Sequence, residues 1–359
     1  MKLVFSTMKI LVSLNSCWVA KRNIKPLYIS LCIFSIITLC YYGYMKHASN
    51  NYTCGSDFGY PHLKFENLES ISLQPVNKHP YSYIHLAESI CKGIPEIYLL
   101  TVVKSATKNF QKRHGIRHSW GHDSNSGNRK MIFIMAFSVG TQKQVDAEAN
   151  LYKDIVQENF KDGYWSNTLK MEMAFNWITK FCRNARYIVF VDDDMYVNFP
   201  NTLNYLRSVD EKKIDNLYSG LVVDEPFPTR DYFNKHYVSR QAYPLDCFPP
   251  YIPSGTVFFS KAAVQKLQKA MPYIPRFHED DVYLAMVAQK VGVTPSKINF
   301  LIRLKDSRTD LKFIPCLISD HGYSTIESFQ SAYSVTHSKN LTVDLIMDVC
   351  TQGDTSRDL

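Results

Sequence analysis

The chain predicts an α/β catalytic domain built on a mixed, largely parallel sheet flanked by helices. Three observations carry that expectation. The runs Ile97-Tyr-Leu-Leu-Thr-Val-Val103 and Tyr187-Ile-Val-Phe-Val191 are short, apolar and rich in β-branched residues, as strands buried on both faces are. Between them Leu169, Met173, Trp177 and Phe181 recur every four residues, with Ala174 and Ile178 alongside, which is the stripe of a helix packed on a sheet. The second run leads directly into Asp192, Asp193 and Asp194, and open α/β sheets bind ligands beyond the carboxyl ends of their strands.

Taken in order, residues 3–20 are a weak apolar stretch interrupted by Lys9, Ser13, Asn15 and Ser16, read as part of a cytosolic tail over 1–25. Residues 26–45 carry no charge and are long enough to cross a bilayer as a helix. Lys21, Arg22 and Lys25 precede that run and only Lys46 follows it, so the positive-inside rule keeps the N-terminus cytosolic. The expectation is a single-pass type II signal anchor, a lumenal stem over 46–92 and a catalytic domain over 93–359. Within that domain the strand at 97–103 opens the sheet and is followed by Lys104, Ser105 and a helix carrying Arg113 and Arg117. Met131 to Phe137 reads as the next core strand, and Val282, Ala285, Met286 and Gln289 mark a helix behind His278-Glu-Asp-Asp281.

The formal net charge of +8 does not argue for a nucleic-acid partner. Residues 1–46 contain six Lys or Arg and no acid, which leaves 35 bases against 33 acids elsewhere, so the excess is topological. Cys54, Cys91, Cys182, Cys247, Cys316 and Cys350 fall in the expected oxidising lumen and allow up to three disulfides. Asn51-Tyr-Thr53 and Asn340-Leu-Thr342 are sequons, making Asn51 and Asn340 candidate glycosylation sites.

Carboxylates crowded at a strand exit repel one another unless a hard divalent cation shares them, and Mg²⁺ or Mn²⁺ bridges such oxygens to a diphosphate. The triplet therefore suits a nucleotide-sugar site; the competing reading is an Asp-rich turn or helix cap. Cations near the exit of the first strand suit the same diphosphate, and Arg offers bidentate contacts. Lys108 and Lys112 read instead as a solvated helix face.

Phe160-Lys-Asp-Gly-Tyr164 through Thr168-Leu-Lys170, then Phe181-Cys-Arg-Asn-Ala185 and Val191-Asp-Asp-Asp194, resemble the β-1,3-galactosyltransferase family, which includes β-1,3-N-acetylglucosaminyltransferases. Lys112-Arg-His-Gly-Ile-Arg-His-Ser-Trp-Gly121 is similar to its Arg-rich Trp-Gly element, and Lys235-His-Tyr-Val-Ser239, Phe248-Pro-Pro-Tyr251 and Asp280-Asp-Val-Tyr283 follow in the family's order. The resemblance implies a GT-A-like fold and inverting transfer of galactose or N-acetylglucosamine from UDP-galactose or UDP-N-acetylglucosamine to a glycan on protein or lipid, in the Golgi membrane with the catalytic domain lumenal. It implies Asp194 and His321 as ligands of Mn²⁺ or Mg²⁺, with Asp192 on the ribose or a metal-bound water. Asp193, Arg113 and Arg117 would complete the donor site. Asp281 is implied as the base, with Asp280 in place of the commoner Glu, and an acid at a helix N-terminus is expected to stay ionised. Trp120, Tyr251 and Gly255 would belong to the acceptor side or sugar pocket. One departure stands out: Tyr251-Ile-Pro-Ser-Gly255 keeps one glycine of the family's Gly-rich turn and adds Pro253. The rival reading is a non-catalytic lumenal partner or chaperone of another transferase.

Overall fold

The structure, a computed structural model, describes residues 35–36, 38–39, 74–224, 226–298, 302–303 and 311–338. The chain divides into two compact units, Met1–Cys54 and Gly55–Leu359. In the first, Ser35, Ile36, Thr38 and Leu39 are helical and exposed, and the Thr38 hydroxyl donates to the Ser35 carbonyl at 3.0 Å. Among the described residues no helix is long and apolar enough to cross a membrane. Most of the 26–45 run, both sequon asparagines, Cys54 and Cys350 lie outside the described residues.

The second unit is built from strands β1 (Tyr83–His85), β2 (Ile97–Lys104), β3 (Arg129–Phe137), β4 (Ile155–Lys161), β5 (Ala185–Asp192), β6 (Met195–Val197), β7 (Tyr218–Gly220), β8 (Thr256–Ser260), β9 (Ser296–Lys297), β10 (Ile302–Arg303) and β11 (Ser319–His321). The helices are α1 (Phe110–Arg117), α2 (Trp120–Ser124), α3 (Gln142–Tyr152), α4 (Asn167–Phe181), α5 (Phe199–Ser208), α6 (Lys261–Ala270), α7 (Asp280–Lys290) and α8 (Ile326–Thr336). Among the described residues the main sheet has eight strands in the order β1-β4-β3-β2-β5-β8-β7-β9, and β10-β11-β6 form a small second sheet. The centre β4-β3-β2-β5 is parallel, β1 joins β4 and β8 joins both β5 and β7 antiparallel, and β9 runs parallel to β7, so the sheet is mixed as expected.

Strand alternation divides the core into two layers. Val102, Ile134, Ile188 and Phe190 face α4, α6 and α7. Val103, Phe133, Val189 and Val191 face the side that carries Ile116 of α1 and Phe329 of α8. In the first layer Met173, Ala174, Trp177 and Ile178 of the predicted stripe are buried, with Leu169 and Phe181 packed against them. Phe175, outside that stripe, stacks on Phe190 at 5.3 Å.

The expected stem is shorter than predicted, because residues 76–92 belong to the packed unit. β1 adds to the edge of the sheet against β4. The backbone N–H groups of Val76 and Asn77 both donate to the Pro272 carbonyl at 2.9 Å. His79 lies 2.7 Å from Glu158 and 3.2 Å from Glu172. A disulfide joins Cys91 to Cys182 at the end of α4, and Cys247 and Cys316 are also disulfide-bonded. This segment reads as a linker because its polar residues are spent on distant partners that no local pattern reveals.

Candidate active site

The chain leaves β2 to build β3 and β4 on one side, then crosses back to place β5 on the other, so β2 and β5 flank a point where strand order reverses. Lys104 and Asp192, the last residues of these strands, are register partners. Beyond them opens a cleft of about 1040 Å³ lined by Lys104, Lys112, the Asp192–Asp194 triplet, Asp281 and His321, among others. That volume suits a ligand the size of a nucleotide sugar.

The three aspartates play different parts. Asp192 ends β5; its N–H donates to the Gly255 carbonyl at 3.0 Å, and its carboxylate lies 3.2 Å from Lys104 Nζ. Burial raises its pKa, against the pull of the Lys104 ammonium. Asp193 is buried and turned inward, accepting from Ser105 Oγ at 2.7 Å, Asn109 Nδ2 at 2.8 Å and Lys112 Nζ at 3.1 Å, so it fixes the loop after β2. Asp194 faces the cleft with its Oδ2 3.3 Å from Lys112 Nζ and 3.6 Å from His321 Nε2. Its carbonyl accepts the N–H groups of Gly322 and Tyr323, both at 3.0 Å, which holds the strand of His321 beside it.

At the opposite wall α7 begins with Asp280 and Asp281. Asp280 is no helix cap: buried, it receives Lys104 Nζ at 2.6 Å and Ser254 Oγ at 3.3 Å. Asp281 accepts the Val282 N–H at 2.8 Å. Burial first, and then the charge of Asp280, push the Asp281 carboxyl up to about 7. Desolvation and the neighbouring charge thus oppose the ionised form that a helix start favours. The Tyr251 phenol is pushed up to about 12 by burial and by the charges of Asp281 and Glu279. Gly255 has φ 142°, a conformation costly for any side chain, so the glycine retained in the turn is the one the backbone needs.

Other expected site residues stand away from the cleft. Arg113 is fully buried, with Nη2 2.7 Å from Glu148, and it donates to Ser105 Oγ and to the Ala106 and Thr107 carbonyls. Arg117 makes paired contacts to Asp154, both at 2.8 Å, reaches Glu148 at 2.6 Å and lies over the Tyr152 ring. Neither guanidinium lines the cleft; they anchor the 105–107 loop and α1. Trp120 is fully buried and stacks on Phe199 at 6.1 Å, so it is core rather than pocket. Lysines line the cleft instead, among them Lys104, which the sequence only suggested, and Lys108 and Lys112, which it read as solvated. Alternating charge along a helix gives no signal of which lysine meets a carboxylate from another strand.

A family model described as galactosyltransferase matches residues 111–299. The chain belongs to this family. It is 34% identical to the β-1,3-galactosyltransferase brn of Drosophila melanogaster over 55% of this chain and 61% of that protein, so the match spans less than two thirds of that relative. It is 29% identical to the lactosylceramide 1,3-N-acetyl-β-D-glucosaminyltransferase of Rattus norvegicus over 78% of this chain and 76% of that protein. Among solved structures, the galactosyltransferase LgtC with donor and acceptor sugar analogues aligns over 70% of this chain and 99% of that one, at 11% identity and a TM-score of 0.36.

The family model overlaps much of the cleft lining, including Lys112, the Asp192–Asp194 triplet and Asp281. Among the described residues no group of three or more His, Cys, Asp or Glu is arranged to hold a metal ion. Asp194 and His321 offer two donors side by side, each about one third exposed to the cleft. Two protein donors completed by diphosphate oxygens and water is a common arrangement for Mg²⁺ and Mn²⁺, so the residues present fit such an ion.

Proposed function

We propose that this chain transfers galactose or N-acetylglucosamine from a UDP-sugar to a glycan hydroxyl by a β-1,3 linkage, with inversion. The observation that carries the reading is Asp281: a half-buried carboxyl, pushed up to about 7, on the same cleft as the Asp194–His321 pair. A general base works best with a pKa near the operating pH. Asp281 would take the proton of the acceptor hydroxyl as that oxygen bonds to the anomeric carbon. The bond from that carbon to the UDP oxygen breaks on the opposite face, and UDP leaves with the electron pair. Asp194 and His321 would hold Mn²⁺ or Mg²⁺, which when bound supplies positive charge at the diphosphate. Lys112, 3.3 Å from Asp194, adds an ammonium at the same place, and Lys104 keeps Asp192 and Asp280 in position. Charge asymmetry around residues 26–45 supports a type II anchor in the Golgi membrane with this domain lumenal.

The deciding experiment incubates the protein with UDP-galactose and UDP-N-acetylglucosamine, with and without Mn²⁺, against a panel of glycan acceptors. A β-1,3-linked product from one donor is the expected result. UDP-sugar binding with no product from any acceptor and no hydrolysis would leave the non-catalytic partner as the better account.

A further inference from the structure

The cleft has an aromatic rim that neither the donor site nor the acid–base chemistry uses. Trp165 sits in the tight turn Tyr164–Ser166 just before α4 and is 61% exposed, whereas Trp120 and Trp177 are fully buried. Gly163 and Asn167, two residues to either side of Trp165, line the cleft, as do Glu279, Asp280 and Asp281. The indole lies against the His278 ring with centroids 5.3 Å apart, and His278 stands three residues before Asp281. Burial lowers the His278 pKa, which disfavours a charged ring beneath the indole.

The platform is held rigidly. Ser166 Oγ donates to the Gly163 carbonyl at 2.7 Å and accepts the Gly163 N–H at 3.1 Å, which closes the turn. Thr168 Oγ1 donates to the Phe277 carbonyl at 2.7 Å, which fixes the start of α4 to the segment entering α7. These bonds hold the backbone that carries Trp165 against the segment entering α7. Tyr232 and Phe233, 75% and 94% exposed, stand on the loop that delivers Lys235 and His236 to the same cleft.

We propose that Trp165 is a stacking platform for the pyranose ring of the acceptor glycan. A pyranoside presents a face of C–H groups that carry partial positive charge, and an indole presents a face of negative charge, so the two attract while water is shed from both. Charged groups line the cleft but leave the sugar's apolar face without a partner; an exposed indole fixed next to the base supplies one and sets the ring's plane, and hence which hydroxyl reaches Asp281. This assignment rests on the transferase reading above.

The test uses the detergent-solubilised full chain with UDP and Mn²⁺, titrated with methyl β-glycosides of glucose, galactose, mannose and N-acetylglucosamine. Indole emission should shift to the blue and saturate with at least one glycoside in the parent, and that shift should vanish in Trp165→Phe. Trp165→Ala should raise the acceptor KM by roughly tenfold or more, the usual scale for one aromatic contact, while UDP affinity and acceptor-independent UDP-sugar hydrolysis stay at parental levels; Trp165→Phe should recover most of the KM. An acceptor KM unchanged in Trp165→Ala, no emission shift in the parent with any glycoside, or UDP affinity lost in parallel with the acceptor would each overturn the platform. Absence of any hydrolysis or transfer by the parent would instead remove the transferase reading on which it stands.

Discussion

Lys104 Nζ stands 2.6 Å from Asp280 Oδ2, joining the exit of β2 to the first turn of α7 across the floor of the cleft. The same ammonium lies 3.2 Å from Asp192. Burial disfavours its charge, but Asp192 and Asp280 outweigh that and raise its pKa above the ordinary lysine value. Lys104→Met should therefore leave the buried Asp280 and the half-buried Asp192 without their shared counter-charge. The expected cost is about 3 kcal/mol of stability, the scale for removing one partner of a buried pair, together with a large loss of turnover. Denaturant midpoints and kcat measured side by side check this; a variant of parental stability and rate would remove Lys104 from the account.

Asp281 should set the acid limb of the pH–rate profile. Its folded pKa of about 7 exceeds the ordinary carboxyl value, so kcat/KM should fall as pH drops through about 7. The stability linkage has the opposite sense: stability conferred by the neutral carboxyl is complete below the unfolded pKa and is lost as pH rises through the folded one. Asp281→Asn should thus abolish turnover, by roughly 10²-fold or more, keep UDP affinity, and flatten the decline in Tm toward neutral pH. A variant that loses UDP binding would assign Asp281 to the donor site.

Asp280→Asn carries a distinguishable signature. Removing its charge should lower the Asp281 pKa and move the acid limb of the profile to lower pH, because Asp280 is the second cause of the elevation after burial. An unmoved limb would show that burial alone sets it.

Asp194→Ala should leave the fold intact and eliminate transfer. In a thermal-shift assay the parent should be stabilised by UDP in a Mn²⁺-dependent manner, and the variant should lose the metal-dependent part. His321→Ala should lose the same part. Parental turnover in Asp194→Ala would sink the assignment of this residue to the donor diphosphate.

His79 should make the domain's stability fall in mild alkali. Burial alone would lower the imidazole pKa, but Glu158 and Glu172 outweigh it and push the ring up to about 9. A histidine raised in the folded state contributes fully below its unfolded pKa, and that contribution is lost as pH rises through the folded value. Tm should decline across roughly pH 7 to 9, and His79→Gln should remove most of the decline.

Much of the frame is legible in the chain itself. The buried strands around Val102 and Val189, the helical stripe through Met173 and Trp177, and the placement of the Asp192–Asp194 triplet at a strand end follow from local composition and period, which act over a few residues. The family was legible because its motif blocks are short, ordered runs. Tertiary structure alone decided which polar groups meet. It turned Asp193 inward onto Ser105 and Asn109 and gave Arg113 and Arg117 to Glu148 instead of the cleft. It also brought Lys112 onto Asp194 and paired Lys104 with Asp280, 176 residues away. Burial, likewise, moved the Asp281 carboxyl up to about 7, although its helix-start position favours the ionised form. Periodicity specifies which face of an element is apolar; pairing and desolvation depend on distances between faces that meet only when the chain has closed on itself.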